Sequence, residues 1–439
     1  MGPPENCCGP ISAGYFFAFF PATGRTTSQT AGDILVYKLV RGASLDEFTA
    51  SVPPGLEPDV LFFPMTGWHT RIQRSQQLAR ALAASGHRCI YINPHLGCEH
   101  LRPYLADRHS WISVLLPRIL EFHIHLPREH VLHRRLLSAD ESRRVLAAVG
   151  ELVAALRIPS AVQLVSFPIW LDAAKWLRDL FGFPIVYDCH DYLGGFENVA
   201  PEIIHKEAEL FEACDLVTFS ARSLMESTIA AFSCVRTKAA LVRNAADASH
   251  FRSQAQQPGV VADPAKVIGY AGSLDHWFDV EAVRHAARER PDWKFLLVGR
   301  IEDPRITTLR DCPNVEFAGE VPYAELPKYV ATFRVAMIPF LRNRLTLAAN
   351  PIKLYDYFSL GLPVVSTRLP EVKLYWDLVY LADNPSDFSA QIARAIKESD
   401  PSLRERRMTV AQGESWLCRA KEWLGVFDRQ VRAVRQDKA

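Results

Sequence analysis

The stretch that decides the fold reads Asn350-Pro351-Ile352-Lys353-Leu354-Tyr355-Asp356-Tyr357-Phe358-Ser359-Leu360-Gly361-Leu362-Pro363-Val364-Val365-Ser366-Thr367. Pro351 suits the first turn of a helix and Asn350 suits its N-cap, so Pro351–Leu360 reads as helical. Pro363–Ser366 is a short apolar run, the mark of a buried parallel strand. Ahead of the helix lie another such run, Val335–Pro339, and a polar loop, Leu341–Ala349. Strand, loop, helix and strand in that order make one unit of a parallel α/β sheet.

Outward from this unit the alternation continues. Further strands are expected at Val267–Ala271, Lys294–Val298, Val315–Phe317 and Val379–Ala382, with helices at Val280–Arg290, Tyr323–Phe333 and Pro385–Glu398. Ala248–Pro264 is rich in Gln, Ser, Pro and Ala and reads as a linker. Before it a first alternation runs through Asp59–Phe63, Arg88–Ile92, Ile119–Leu126, Val162–Phe167, Pro184–Asp188, Asp215–Ser220 and Ala239–Arg243. Helical spacing separates these runs at Arg71–Ser85, Ala139–Leu156, Ile169–Leu180, Pro201–Ala213 and Ala221–Phe232. The fold class is therefore α/β, with two Rossmann-like, doubly wound domains in series. The expected division is a loosely attached arm over 1–55, a first domain over 56–247, a second over 248–410 and a terminal helix over 411–439. Trp416, Ala420, Trp423, Phe427, Val431 and Val434 form an apolar stripe on that helix. The stripe should bury against another surface, and the first domain is the expected one.

Composition sets the outer limits. The 439 residues are 49% hydrophobic and 23% charged, which excludes a disordered chain, a collagen or a coiled coil. Lys plus Arg number 50 against 49 acidic residues, so no global field exists to hold a long nucleic acid. Asn6–Gly24 and Ile158–Leu171 are interrupted by prolines and do not read as membrane spans, and Met1–Asn6 lacks a basic leader region. The nine cysteines are scattered and never spaced C-x-x-C, which fits a reducing cytosol. A cytoplasmic protein is expected.

In open α/β sheets ligands sit beyond the carboxyl ends of the strands, so two facing sheets create a cleft. A helix start at Asn350, Pro351 and Ile352 offers backbone N–H groups to an anion, Lys353 adds a point charge, and Asp356 lies one turn on. A phosphate with a ribose diol on Asp356 fits that geometry; a capped surface helix with a solvated Lys–Asp pair is the other reading. Gly272 and Ser273 close one neighbouring strand, and Gly299 and Arg300 the next. Arg300 would clamp a diphosphate, whereas taken alone each glycine is a turn residue. Neither loop is a G-x-G-x-x-G or a P-loop, which disfavours a dehydrogenase or an ATPase. In the first domain His190 and Asp191 end a strand, where they would orient an acceptor hydroxyl or form a simple turn. Gly67 and Arg71 sit in the loop after the first strand, and Arg71 and Arg74 would meet an anionic acceptor or line a solvated helix. His123, His125, His130 and His133 fall within eleven residues but lack the cysteine or carboxylate spacing of a metal site. No Asp-x-Asp pair is present to carry Mg²⁺ or Mn²⁺.

At these residues the sequence resembles the two-domain (GT-B) glycosyltransferases, nearest the large retaining family 4, also called group 1. Asn350–Thr367 is similar to that family's donor-site helix and strand. Arg243-Asn244-Ala245-Ala246-Asp247, with Phe251, resembles its interdomain signature, and Gln76-Gln77-Leu78-Ala79 through Gly86-His87 its first acceptor-domain helix. Tyr187–Asp191, Gly269–Asp279 and Pro291–Arg300 are similar to members that assemble bacterial polysaccharides. Asp356 stands at the second of the family's two glutamates and Ala348 at the first; Ala245 replaces a glycine. The resemblance implies transfer of a sugar from a nucleotide diphosphate to an acceptor hydroxyl, with retention and without a metal or other cofactor. Lys353, His190 and Asp191 would be the catalytic groups. It implies a glycan or lipid-linked glycan acceptor, with peripheral contact at the inner membrane face; Arg102, Arg108, Arg118, Arg128, Arg134 and Arg135 make a local basic excess that would approach anionic lipid or form a solvated surface. A sugar-nucleotide epimerase and a non-catalytic partner subunit are the alternatives.

Overall fold

The computed structural model describes residues 36–38, 57–69, 71–96, 110–128, 130–255 and 267–432. Most of the expected arm, Arg102, Arg108 and the second half of the expected linker lie outside these residues. The strands are β1 (Val36–Lys38), β2 (Asp59–Phe63), β3 (Cys89–Ile92), β4 (Trp111–Leu116), β5 (Ile119–His123), β6 (Ala161–Val165), β7 (Ile185–Cys189), β8 (Leu216–Phe219), β9 (Ala239–Leu241), β10 (Val267–Ala271), β11 (Lys294–Val298), β12 (Val315–Gly319), β13 (Val335–Ile338), β14 (Val364–Thr367) and β15 (Val379–Ala382). They form two sheets, one to each lobe.

The first sheet has the order β1-β4-β5-β3-β2-β6-β7-β8-β9. From β5 to β9 it is parallel, and the strand order reverses between β2 and β6. Every residue of β2, β3, β6, β7 and β8 is buried, as two-sided coverage by helices requires. Two antiparallel edge strands extend the sheet beyond the alternation read from the sequence. Pro117 and Arg118 turn β4 into β5, Arg118 at a φ of 65°. The expected strand Ile119–Leu126 begins directly after this turn and ends at His123, and β4 ahead of it was not expected. Val36–Lys38, from the expected arm, pairs with β4.

The second sheet has the order β12-β11-β10-β13-β14-β15 and is parallel throughout. Its order reverses between β10 and β13, and their carboxyl ends therefore open a crevice. The helix Ile352–Ser359 packs behind this crevice with Leu354, Tyr355, Tyr357 and Phe358 buried in the second lobe's core. Part of the expected linker is itself a helix, Ala248–Ala255.

Two crossings join the lobes. Asn244–Asp247 carries the chain from the first lobe to the second, and Glu414–Trp416 carries it back. They lie side by side: the Ala246 amide donates to the Glu414 carbonyl at 2.8 Å, and the Trp416 amide to the Ala246 carbonyl at 3.3 Å. The terminal segment is two helices, Pro401–Gly413 and Trp416–Phe427, broken at Glu414. Trp416, Trp423, Phe427 and Val431 bury against Val60, Leu78 and Leu82 of the first lobe. Among the described residues no helix is long and apolar enough to cross a membrane.

Candidate active site

Gly272 and Ser273 leave β10 at the switch point. Gly272 has a φ of +145° and Gly299 one of +150°, backbone that side chains rarely adopt. A Cβ on Gly299 would lie 1.9 Å from the Gly272 carbonyl oxygen, so the turns after β10 and β11 touch backbone to backbone. The strand end is fixed by Tyr357, whose hydroxyl accepts from the Ala271 amide at 2.8 Å, and by Tyr270, whose hydroxyl donates to the Ser273 carbonyl at 2.6 Å.

Lys353 extends over Gly272: a Cβ on that glycine would meet its Cε at 2.9 Å and its Nζ at 3.2 Å. The ammonium sits 5.1 Å from the Tyr270 ring centroid and 4.6 Å from that of Phe340, which follows β13. Among the described residues no carboxylate lies within 4 Å of it. Burial pushes the Lys353 amine down to about 8, opposed by the nearby Asp356 carboxyl. Asp356 itself makes no hydrogen bond among the described residues. Burial and then Asp247 raise its carboxyl well above the usual carboxylate range, with Lys353 pulling the other way. The crevice thus presents an unpaired cation and an unpaired acid on successive turns of one helix, whose first turn no side chain caps.

The expected N-cap is corrected. Pro351 occupies that position at φ −71°, ψ 114°, and the helix starts at Ile352. Asn350, one residue earlier and buried, turns its amide to the interlobe crossing. Its Oδ1 accepts from the Asn244 amide at 3.0 Å, and its carbonyl accepts from Asn244 Nδ2 at 2.6 Å. Its Nδ2 donates to Tyr355 at 3.1 Å and to Glu371 at 3.2 Å. Glu371 also accepts from Arg243 Nε at 2.6 Å. Asn350 therefore ties the start of this helix to the interlobe crossing, a role its N-cap propensity concealed.

Arg74 belongs to the same network. It is buried and binds Asp188 at 2.8 Å through both Nε and Nη2, and reaches the Arg243 carbonyl and Asn244 Oδ1 at 3.1 Å. Burial works against Asp188 ionising, but Arg74, His190 and Thr218 outweigh it and hold the carboxyl low. Arg74 is thus unavailable to an acceptor. Arg300 points to solvent, its Nε 3.3 Å from Glu302. Arg71 reaches across from the first lobe to Glu302 at 2.5 Å and Glu320 at 3.3 Å. It rims the cleft between the lobes.

His190 leaves β7 with Nδ1 3.0 Å from the Asp188 carbonyl and Nε2 3.7 Å from Asp191. Burial raises the Asp191 carboxyl, with His190 and Arg74 opposing. The loop they begin carries Gly195 against Leu345 and puts its carbonyl 3.3 Å from His276 Nε2, so it borders the second lobe beside Gly272 and Ser273. The Gly67 carbonyl accepts from Gln76 Nε2 at 3.0 Å, which pins the loop after β2 to the helix Arg74–Ala84. Ala348, the missing first acid, packs into the first lobe's core. Sequence reasoning passed over Tyr270 and Phe340, because an aromatic at a strand end reads as core. It also passed over Gln77, whose Nε2 donates to Tyr323 at 2.8 Å and so links the lobes. Among the described residues no group of three or more His, Cys, Asp or Glu is placed to hold a metal ion.

Residues 265–398, which hold this crevice, match the family described as glycosyl transferases group 1. The protein is a glycosyltransferase with a group 1 domain as its second lobe. Over 272 residues the transferase is 27% identical to TuaH of Bacillus subtilis (strain 168), named as a teichuronic acid biosynthesis glycosyltransferase. That match covers 57% of this chain and 67% of TuaH. The fold of the transferase is similar to sucrose-phosphate synthase from Thermosynechococcus elongatus, at a TM-score of 0.67 and 15% identity, over 86% of this chain and 100% of that one. It is also similar to the catalytic domain of Arabidopsis thaliana starch synthase IV bound to ADP and acarbose, at a TM-score of 0.61 and 13% identity, over 86% and 100%. The architecture is GT-B.

Proposed function

We propose that the transferase moves a sugar from a nucleoside diphosphate to a glycan hydroxyl during cell-surface polysaccharide synthesis, and that the diphosphate lies under Lys353. One observation carries this reading: a lysine ammonium without a carboxylate partner, held over the positive-φ turn at Gly272 where the strand order reverses. The departing diphosphate develops charge there, and Lys353 with the uncapped turn at Ile352 supplies fixed positive potential. This potential serves in place of a metal. Asp356 accepts the ribose diol. The acceptor enters from the first lobe past His190 and Asp191 and attacks on the face the diphosphate leaves, so configuration is retained and the leaving phosphate takes the hydroxyl proton. The B. subtilis relative's name supports a polysaccharide product, and the starch synthase structure, with ADP and acarbose, supports a nucleotide donor and a glycan acceptor in this architecture. A lipid-linked acceptor at the inner membrane face fits Arg118, Arg128, Arg134 and Arg135. No feature of the geometry favours an epimerase or a non-catalytic subunit.

The test is a thermal-shift panel of UDP, GDP and ADP, followed by transfer assays with the sugar nucleotide of the one that binds. A bound nucleotide raises the melting temperature by mass action. Lys353→Met is expected to lower kcat/KM by about 3 kcal/mol, on the order of a hundredfold. An unchanged rate, or no shift with any nucleotide, refutes the assignment.

A further inference from the structure

The loop after β2 holds a second group aimed at the cleft. His69 lies between Gly67 and Arg71, at the point where the first sheet reverses its strand order. Arg71 of the same loop reaches Glu302 and Glu320 on the opposite lobe, so the loop faces the gap. The His69 side chain is 50% exposed, and its Nε2 lies 2.8 Å from Glu121 Oε2. Glu121, on β5, is fully buried. Its other oxygen accepts from Asn93 Nδ2 at 2.7 Å, and His123 Nε2 lies 3.0 Å from Oε2. The His123 ring is stacked flat on Trp111 at 3.7 Å. No Arg or Lys is within ion-pair distance of Glu121 among the described residues. A carboxylate enclosed with only imidazoles and an amide fixes ring orientation and tautomer. With Nε2–H donated to Glu121, the His69 Nδ1 lone pair has no partner among the described residues, on a side chain that is 50% exposed.

We propose that His69, backed by Glu121, is an acceptor-binding group whose Nδ1 accepts a hydrogen bond from a neutral hydroxyl of the glycan. This rests on the transferase reading above. A hydroxyl fits better than an anion, because the Glu121 charge one ring behind strengthens Nδ1 as an acceptor and repels a carboxylate or phosphate. Glu121 is a positioning residue. The hydrogen bond to Glu121 holds the His69 imidazole above its ordinary value, with burial opposing. Burial opposes Glu121 ionising, yet His123 and His69 bring it down to about 2. Tyr91 on β3, Arg80 over the Trp68 ring and Arg71 are the other titratable or charged groups on the elements around this loop. Below its titration point Nδ1 carries a proton and the hydrogen bond would reverse, so glycan binding strengthens as pH rises through it.

The test is NMR of histidine-labelled full-length protein, titrated with the methyl glycosides of glucose, galactose, mannose and N-acetylglucosamine, with the stabilising nucleotide present. The His69 signal is identified by its loss in His69→Gln. Displacement of that signal by at least one glycoside, with an apparent Kd raised at least tenfold in Glu121→Gln, is the expected result. Glu121→Gln should also lower the His69 titration midpoint, while leaving the nucleotide-induced thermal shift unchanged. A signal that no glycoside moves, in protein that still binds nucleotide, overturns the proposal and leaves the donor reading standing. Absence of nucleotide binding instead removes the reading beneath it.

Discussion

Lys353 is a charge without a carboxylate partner among the described residues, held in a crevice. Keeping an ammonium half-buried against Tyr270 and Phe340 opposes protonation, and the amine falls to about 8. The amine loses its charge above about 8, so nucleotide affinity should be constant near pH 7 and weaken as pH rises through 8. Calorimetric titration at pH 7 and pH 9.5 checks this. Lys353→Arg should keep its affinity at pH 9.5, because guanidinium stays charged. The glycines beside it make a second prediction. Gly299→Ala would force a methyl 1.9 Å from the Gly272 carbonyl oxygen, at a φ of +150°. It should destabilise the fold by about 3 kcal/mol in denaturant titration. That Lys353 and the Gly272 turn lie at neighbouring strand ends was legible in the sequence, and the structure places Lys353 over Gly272. Asn350 was misread: its N-cap propensity is real, but a buried amide goes where the partners are, and Asn244 and Glu371 claim it.

The buried network that joins β7, the first crossing and the helix Ile352–Ser359 is the element-scale counterpart. Thr218, Asp188, Arg74, Asn244, Asn350 and Glu371 form one chain of hydrogen bonds. Removing Arg74 strands a buried carboxylate, so Arg74→Ala should cost about 3–5 kcal/mol. Arg74→Met with Asp188→Leu should recover much of that, as chemical denaturation of both variants would reveal. The parallel strands were readable as apolar runs. Within the β4–β5 hairpin only the second strand was expected; β4, which runs antiparallel to it across the turn at Pro117 and Arg118, falls outside the parallel alternation. The terminal stripe from Trp416 to Val431 was read correctly from its spacing, Val434 lying outside the described residues, though the break at Glu414 was not. It arises where the chain bonds to Ala246 instead of continuing its helix.

At the scale of the molecule the two lobes meet through an exposed rim pair and a buried network. Arg71, Glu302 and Glu320 are each more than a quarter exposed. Such pairs contribute about 0–1 kcal/mol and weaken with salt. Arg71→Ala should therefore leave the melting temperature within about 1 °C but flatten the dependence of kcat/KM on NaCl, measured between about 50 and 500 mM. The cleft was expected from two sheets in series; its fastening was not, because sequence spacing carries no information about which side chains meet across 231 positions.

The helix Trp416–Phe427 is made after the second lobe yet completes the lobe made first. During synthesis the groove over Val60, Leu78 and Leu82 must stay open until the second lobe has left the ribosome. Ribosome stalling anywhere within residues 267–413 would leave an apolar trench on an otherwise finished sheet.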